Sequence, residues 1–236
     1  NSCWLYIPYD INERGKRINI SNQPNDGILI DYGLVSYHLQ PDLINLENSG
    51  TEWLWNPIPS NTAHTILIDL LNPKTGVNFS INSKFKGHSQ NQDSFSQHNL
   101  ILLYGSLNGT QIGSNLSWFG SASRTMVRES INSNLNNGSN VFFLKNISDD
   151  PNSYPYIDYF EIKYGRILDF SNSYQFLSPI RNQNIKFYFS GTKNESTELW
   201  DITDLENINY KNINNNGFCY INASESPNLY ILFDEN

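Results

Sequence analysis

Six side chains in this sequence have the types that nucleophilic or proton-transfer chemistry uses: Cys3, Cys219, His38, His64, His88 and His98. Cysteine-peptidase chemistry needs a thiolate and an imidazole that takes its proton. Cys3 lies near the start of the chain. Cys219 lies within the apolar run Phe218-Cys219-Tyr220-Ile221, where a thiol usually behaves as a small hydrophobe. None of the histidines stands in a Gly-rich or strand-end context that pairs it with either cysteine. The two cysteines fit a disulfide in an oxidising compartment and equally fit two free thiols. Ligand spacings of the Cys-x-x-Cys, His-x-x-x-His or His-Glu-x-x-His type are absent. Asp149, Asp150 and Asp158 carry the oxygens a calcium site would use with backbone carbonyls. Acidic loop residues are more often simply solvated, and no cofactor is expected.

Other reaction classes fare no better. There is no Gly-x-Ser-x-Gly elbow and no Gly-rich phosphate loop. Asp201 and Asp204 suggest a glycosidase carboxylate pair, but residues three apart on a strand face opposite sides. Trp4, Trp53, Trp55, Trp118, Trp200 and the tyrosines of 154–164 offer flat apolar faces with polar edges, which suit sugar rings. Most of them fall inside alternating strand patterns, which favours packing between sheets.

The elements that must carry these residues read as strands. In 65–71 (TILIDLL), Ile66, Ile68 and Leu70 share one face. In 157–164, Phe160, Ile162 and Tyr164 share a face, while Tyr159, Glu161 and Lys163 point away. Ile185, Phe187 and Phe189 alternate with Lys186 and Tyr188, and 99–104, 141–147, 198–203, 218–221 and 229–233 are further strand-length runs. Period-two patterning implies that each strand buries one face. Turn signals separate them: Asn108-Gly109, Asn136-Asn137-Gly138, Gly191–Asn194 and Ser226–Asn228. Asn-Gly is expected to supply the positive φ of tight hairpins. Segment 122–135 fits helical spacing as well as a strand over 124–128 followed by a loop; the strand is preferred. The fold class is therefore all-β, a sandwich or jelly roll. Residues 1–180 would form the sandwich, and 181–236 would add strands to it or make a smaller second β unit.

The net charge is −8, with 16% charged and 14% aromatic residues. An acidic balance argues against a nucleic-acid partner, whose phosphates are bound by Lys and Arg. No run of about 20 apolar residues offers a membrane span. No basic stretch followed by an apolar one opens the chain as a signal peptide would.

Several short pieces resemble, in order and spacing, the β-rich region upstream of the catalytic domain in gingipain-like cysteine peptidases, a family that includes PorU-type sortases of type IX secretion. These pieces are the Ser49-Gly50…Trp53 segment, His98 ahead of a strand, and Asn108-Gly109. They continue with Trp118-Phe119-Gly120, the turn through Gly138 and Asn140, Tyr156–Leu168 with Asp158, Tyr164 and Arg166, and the Trp200-Asp201-Ile202-Thr203-Asp204 element. The resemblance spans about residues 48–205. It implies a non-catalytic accessory β-region, bacterial and secreted or held at the cell envelope. Its partner would be a downstream protease domain of the same polypeptide, with secretion-system proteins or glycans as further partners. The family's catalytic His and Cys belong to that downstream domain and have no counterpart here. The matched residues read as scaffold, with Arg166 pairing Asp158 or an acid on a neighbouring strand. Two rivals are a carbohydrate-binding or adhesive β-sandwich and a self-sufficient peptidase using Cys219.

Overall fold

The computed structural model describes residues 19–20, 23–46, 50, 52–91, 95–130 and 135–233. Cys3, Trp4 and Ser49 lie outside them. Every regular element among the described residues is a strand, and no helix is long and apolar enough to cross a membrane. In chain order the strands are β1 (Asn19–Ile20), β2 (Ile28–Ile30), β3 (Tyr32–Leu39), β4 (Ala63–Leu70), β5 (Phe79–Lys86), β6 (Gln97–Tyr104), β7 (Thr110–Gln111), β8 (Leu116–Phe119) and β9 (Ser123–Ser130). They continue with β10 (Gly138–Asn146), β11 (Tyr156–Ile167), β12 (Tyr174–Leu177), β13 (Ile185–Tyr188), β14 (Glu198–Asp201), β15 (Asn209–Lys211), β16 (Phe218–Ile221) and β17 (Leu229–Phe233). The chain divides into two compact units, one of residues 31–168 and one of residues 1–30 with 169–236.

The 31–168 unit is a sandwich of two antiparallel sheets. One has the order β3-β11-β5-β9; the other has β4-β10-β6, with β7 and β8 both paired to β6. The alternation read from the sequence faces inward as expected. Ile66, Ile68 and Leu70 of β4 are buried, and so are Phe160, Ile162 and Tyr164 of β11. They meet Ile81 and Phe85 of β5, Leu100 and Leu102 of β6 and Phe142 of β10 in one core. Burying a Leu, Ile or Phe side chain stabilises by roughly 1.5–3 kcal/mol each, which is what holds the layers together. The segment open to two readings is the strand β9. It pairs with β5 at eight successive positions and sends Met126 into the core.

The second unit also stacks aromatic side chains between strands. Its sheets are β1-β15-β14-β17-β12 and β16-β13-β2, with β1 parallel to β15 and β2 parallel to β13. Phe176, Phe187, Phe189 and Tyr230 form its centre, with Phe176 ring centroids 5.5 Å from Phe187 and 5.4 Å from Tyr230. Such edge-to-face and tilted pairs add about 0.5–1.5 kcal/mol beyond burial.

Positive φ occurs where an L side chain tolerates it least and Asn or Gly tolerates it best. Asn61, Asn72 and Asn182 adopt it, as do Gly105, Gly138 and Gly191. The Asn108-Gly109 pair does not, contrary to the hairpin expectation. Gly105 takes the left-handed turn of that loop. Gly109 is needed for a different reason: a Cβ there would collide with the Tyr104 carbonyl oxygen.

Candidate functional site

One hollow of about 360 Å³ on the 31–168 unit gathers polar and aromatic side chains: Gln40, Glu52, Trp53, Lys84 and Asp158. Its construction starts from a β-bulge in β11. The register against β5 shifts between Ile157 and Tyr159, so one extra residue is accommodated and its side chain is re-aimed. That residue is Asp158. Its carboxylate accepts a 2.6 Å bond from Lys84 Nζ on β5, and this bond raises the Lys84 pKa above the usual lysine value. The segment carrying Trp53 is laid beside the bulge by backbone bonds from Trp55 N–H to Ile157 O (2.6 Å) and from Ile157 N–H to Asn56 O (3.3 Å). Leu54 anchors it in the interior. Trp53 is 44% exposed, and its indole N–H donates to Gly50 O at 3.3 Å. Glu52 is held by Lys86 at 3.4 Å. Beside the hollow, His38 stacks on Tyr159 at 5.1 Å between Glu161 Oε2 and Gln40 Oε1.

Of the residues singled out in the sequence, Trp53 and Asp158 meet at this hollow. The pairing of Asp158 with Arg166 is not made. They lie eight positions apart along β11, about 26 Å at strand rise, and Lys84, which pairs with the neighbouring Tyr159, takes the carboxylate instead. Arg166 is buried near the other end of β11, where Tyr164 Oη donates to Leu71 O and accepts from Leu71 N–H, both at 3.2 Å.

His98, Trp118 and Gly120 converge elsewhere in the same unit. His98 is fully buried and packs on Trp118 at 4.7 Å. A carbonyl can only accept, so His98 Nε2–H donates to Gly120 O at 3.1 Å; Nδ1 is then the acceptor for the Ser153 hydroxyl at 2.8 Å. Asn146 Nδ2 donates to the same hydroxyl oxygen at 2.9 Å. Burial holds the His98 pKa below its ordinary value. A Ser–His pair of this kind resembles a nucleophile and base only on paper, since both side chains are sealed from solvent. Gly138 and Asn140 shape the turn into β10. The Asn140 amide bonds Asn136 N–H, Asn136 O and Gly138 O at 2.8–2.9 Å and accepts from Tyr104 Oη at 2.8 Å.

The Trp200–Asp204 element lies in the other unit. Asp201 ends β14 and binds Thr203 Oγ1 at 2.6 Å and Lys211 Nζ at 3.3 Å. Asp204 lies past the strand in a turn, accepting from Glu206 N–H and Asn207 Nδ2. Trp200 is half-buried against Phe233 at 5.0 Å. Cys219 is fully buried, its thiol pushed up to about 12 by burial, with Gln23 Nε2 at 3.7 Å from Sγ. Among the described residues no group of three or more His, Cys, Asp or Glu is placed to hold a metal. Asp150 accepts from Asn152 and Gln97 N–H groups. Gln40, Glu52 and Lys84 carried no sequence signal of their own. They come from three separate segments that only the fold brings together.

No protein-family model and no curated protein matches the sequence. Solved structures do. The dimeric latent PorU from Porphyromonas gingivalis matches with a TM-score of 0.71 at 12% identity, covering 92% of this chain and 22% of that one. This chain thus spans about a fifth of the length of that protein. Weaker matches, which share only part of the chain, include the carbohydrate-binding module CBM36 in complex with calcium and xylotriose (TM-score 0.32, 14% identity, 55% and 98% covered). CsCBM6-3 from Clostridium stercorarium in complex with cellobiose is another (TM-score 0.30, 16% identity, 58% and 96% covered). The fold is that of a PorU-like β-region.

Proposed function

We propose that this chain is a non-catalytic accessory β-region of a secreted or envelope-associated gingipain-like cysteine peptidase, which supports or docks the protease domain of the same polypeptide. The observation that carries this reading is the PorU-like fold over 92% of the chain, found where short sequence pieces had suggested the same family. The thiol chemistry agrees with it. A nucleophilic cysteine is exposed and has a lowered pKa, whereas Cys219 is sealed and its pKa is pushed up. The histidine with the best-placed hydroxyl, His98, is closed inside a core.

The first test is to read the gene past the codon for Asn236. A domain with a His and a Cys in gingipain-like context supports the accessory role. A stop codon directly after Asn236 sinks it and leaves a free-standing β-module. A second test addresses catalysis by this chain. Incubated alone with a peptide library, it is expected to cleave nothing. Thiol-sensitive cleavage abolished by Cys219→Ser would make it a peptidase in its own right.

A further inference from the structure

We propose that the open edge of β4 takes up an extended segment of a partner protein as an added strand, apolar at every second position and carrying Lys or Arg opposite Asp69. β4 ends its sheet: β10 pairs with it on one side, at eight successive positions with no shift of register. Asn146 N–H donates to Thr62 O at 2.9 Å. Bonded and non-bonded pairs alternate along an antiparallel ladder, so His64, Ile66, Ile68 and Leu70 direct their backbone groups to β10. Ala63, Thr65, Leu67 and Asp69 direct theirs to the open side. Tyr164 Oη closes that row at its end, bonding both Leu71 N–H and Leu71 O at 3.2 Å. Nothing in the strand blunts the edge: Ala63–Leu70 contains no Pro, Lys or Arg and no bulge, the usual devices against strand addition. A row of alternating N–H and C=O groups at strand spacing is matched by another extended backbone.

Two further observations fix the chemistry of that segment. The first is an uncovered inner face on β3. Tyr164 of β11 reaches the open edge of β4, so β3, the next strand beyond β11, overhangs that edge. Val35, Tyr37 and Leu39 lie opposite Tyr164, Ile162 and Phe160, and so face the same way, towards the other layer. Val35 and Leu39 are only partly buried, and Tyr37 is 39% exposed although Ile162 beside it is fully buried. A strand added to β4 lies beneath them, where its inward side chains gain by being apolar. The second observation is charge. Thr65, Leu67 and Asp69 are exposed on the outer face of β4. Asp69 stands opposite Ser139 on β10 and has no ion pair among the described residues. A Lys or Arg across from it on the added strand supplies one, and the chain's net charge of −8 favours the approach of a basic segment.

The test uses the whole chain and fluorescent octapeptides in which Val alternates with Thr, one Thr being replaced by Lys or by Glu. Anisotropy is expected to show binding of the Lys peptide and several-fold weaker binding of the Glu peptide, and Asp69→Lys should reverse that preference. A fully N-methylated Lys peptide should not bind, because backbone bonds carry the affinity. Leu67→Pro should weaken binding at least tenfold, since it removes an N–H from the open side and leaves the ladder to β10 intact. Leu67→Lys, which keeps the backbone and blunts the edge with a charge, should weaken binding of the Lys peptide several-fold, with thermal unfolding close to that of the parent. Equal binding of the Lys and Glu peptides, binding that Leu67→Lys and N-methylation leave unchanged, or binding of no peptide would each overturn the proposal. So would dimers of the chain alone that Leu67→Lys abolishes, which would make a second copy the occupant. These outcomes are independent of the gene beyond Asn236, so failure here leaves the accessory reading to its own test.

Discussion

Gly87 and Gly138 both sit at strand margins, yet they are glycine for different reasons. At Gly87 a Cβ would run into the backbone carbonyl oxygen of Gly120, which cannot move aside; at Gly138 there is open space but φ is +93°. Gly87→Ala is therefore expected to cost about 3 kcal/mol, as overpacking against fixed atoms does. Gly138→Ala should cost about 1–2 kcal/mol, the ordinary penalty of a left-handed L residue. Chemical denaturation of the two variants side by side checks the order. His98 gives a pH dependence whose sign is fixed. Burial lowers the pKa of His98, and of His64, below the unfolded value of about 6.5. Below that value the unfolded chain takes up protons that the folded one refuses. Stability is thus complete above pH 6.5 and is lost as pH falls from there towards the folded pKa values, with a slope of at most about 1.4 kcal/mol per pH unit for each histidine. Urea melts at pH 7.5, 6.5 and 5.5 measure it. His98→Leu should reduce the acid loss and, at pH 7.5, cost about 3 kcal/mol by taking the acceptor from the Ser153 O–H, whose oxygen keeps its bond from Asn146, and the imidazole donor from the Gly120 carbonyl.

At the scale of elements, cross-strand ion pairs in the two units have different depths and should have different worth. Lys84 and Asp158 join β5 to the β11 bulge with side chains 40% and 12% exposed, whereas Lys211 and Asp201 join β15 to β14 at 10% and 12%. Lys84→Met should cost less than about 1 kcal/mol, as for a partly solvated pair. Lys211→Met should cost about 3 kcal/mol, because both partners are buried and no solvent reaches Asp201 to replace the lost counter-charge, whereas the exposed end of Lys84 vacates space that water can fill beside Asp158. Equal costs in denaturation would contradict that account. Edge protection is also visible at this scale. On β9, Arg124 and Arg128 donate to the Ser123 and Val127 carbonyls, and Arg128 reaches Ser114 and Asn115. The guanidinium groups occupy acceptors along a strand paired on one side by β5, which discourages pairing with another chain. The strands themselves were legible wherever one face was apolar, as in β4, β11 and β13. The bulge in β11 was not: Ile157-Asp158-Tyr159 reads as plain alternation, and only the opposing register of β5 reveals the extra residue. The candidate hollow was half-legible for the same reason, since Asp158 and Trp53 carried signals while Lys84 gained its role from lying across that bulge.

For the whole molecule, the 31–168 unit is continuous in sequence and owns a complete core, so the segment 31–168 expressed alone should fold cooperatively. Segment 169–236 alone should not, because it lacks β2, whose Ile30 is buried and lies opposite Phe187 in the parallel pairing with β13. Amide dispersion in NMR spectra of the two segments would decide both expectations. The sequence by itself determined that this is a β protein: period-two burial and turn residues are local properties, set by the pleat and by φ. It also indicated that Cys219 is packing rather than chemistry, because an apolar strand run raises the cost of a thiolate. Only the tertiary structure decided which strands are neighbours, that a strand near the start pairs with one more than a hundred residues later, and that Lys84 rather than Arg166 meets Asp158. Those outcomes depend on register and crossover between segments far apart in sequence, and the energies that select them come from a shared core that no local pattern contains.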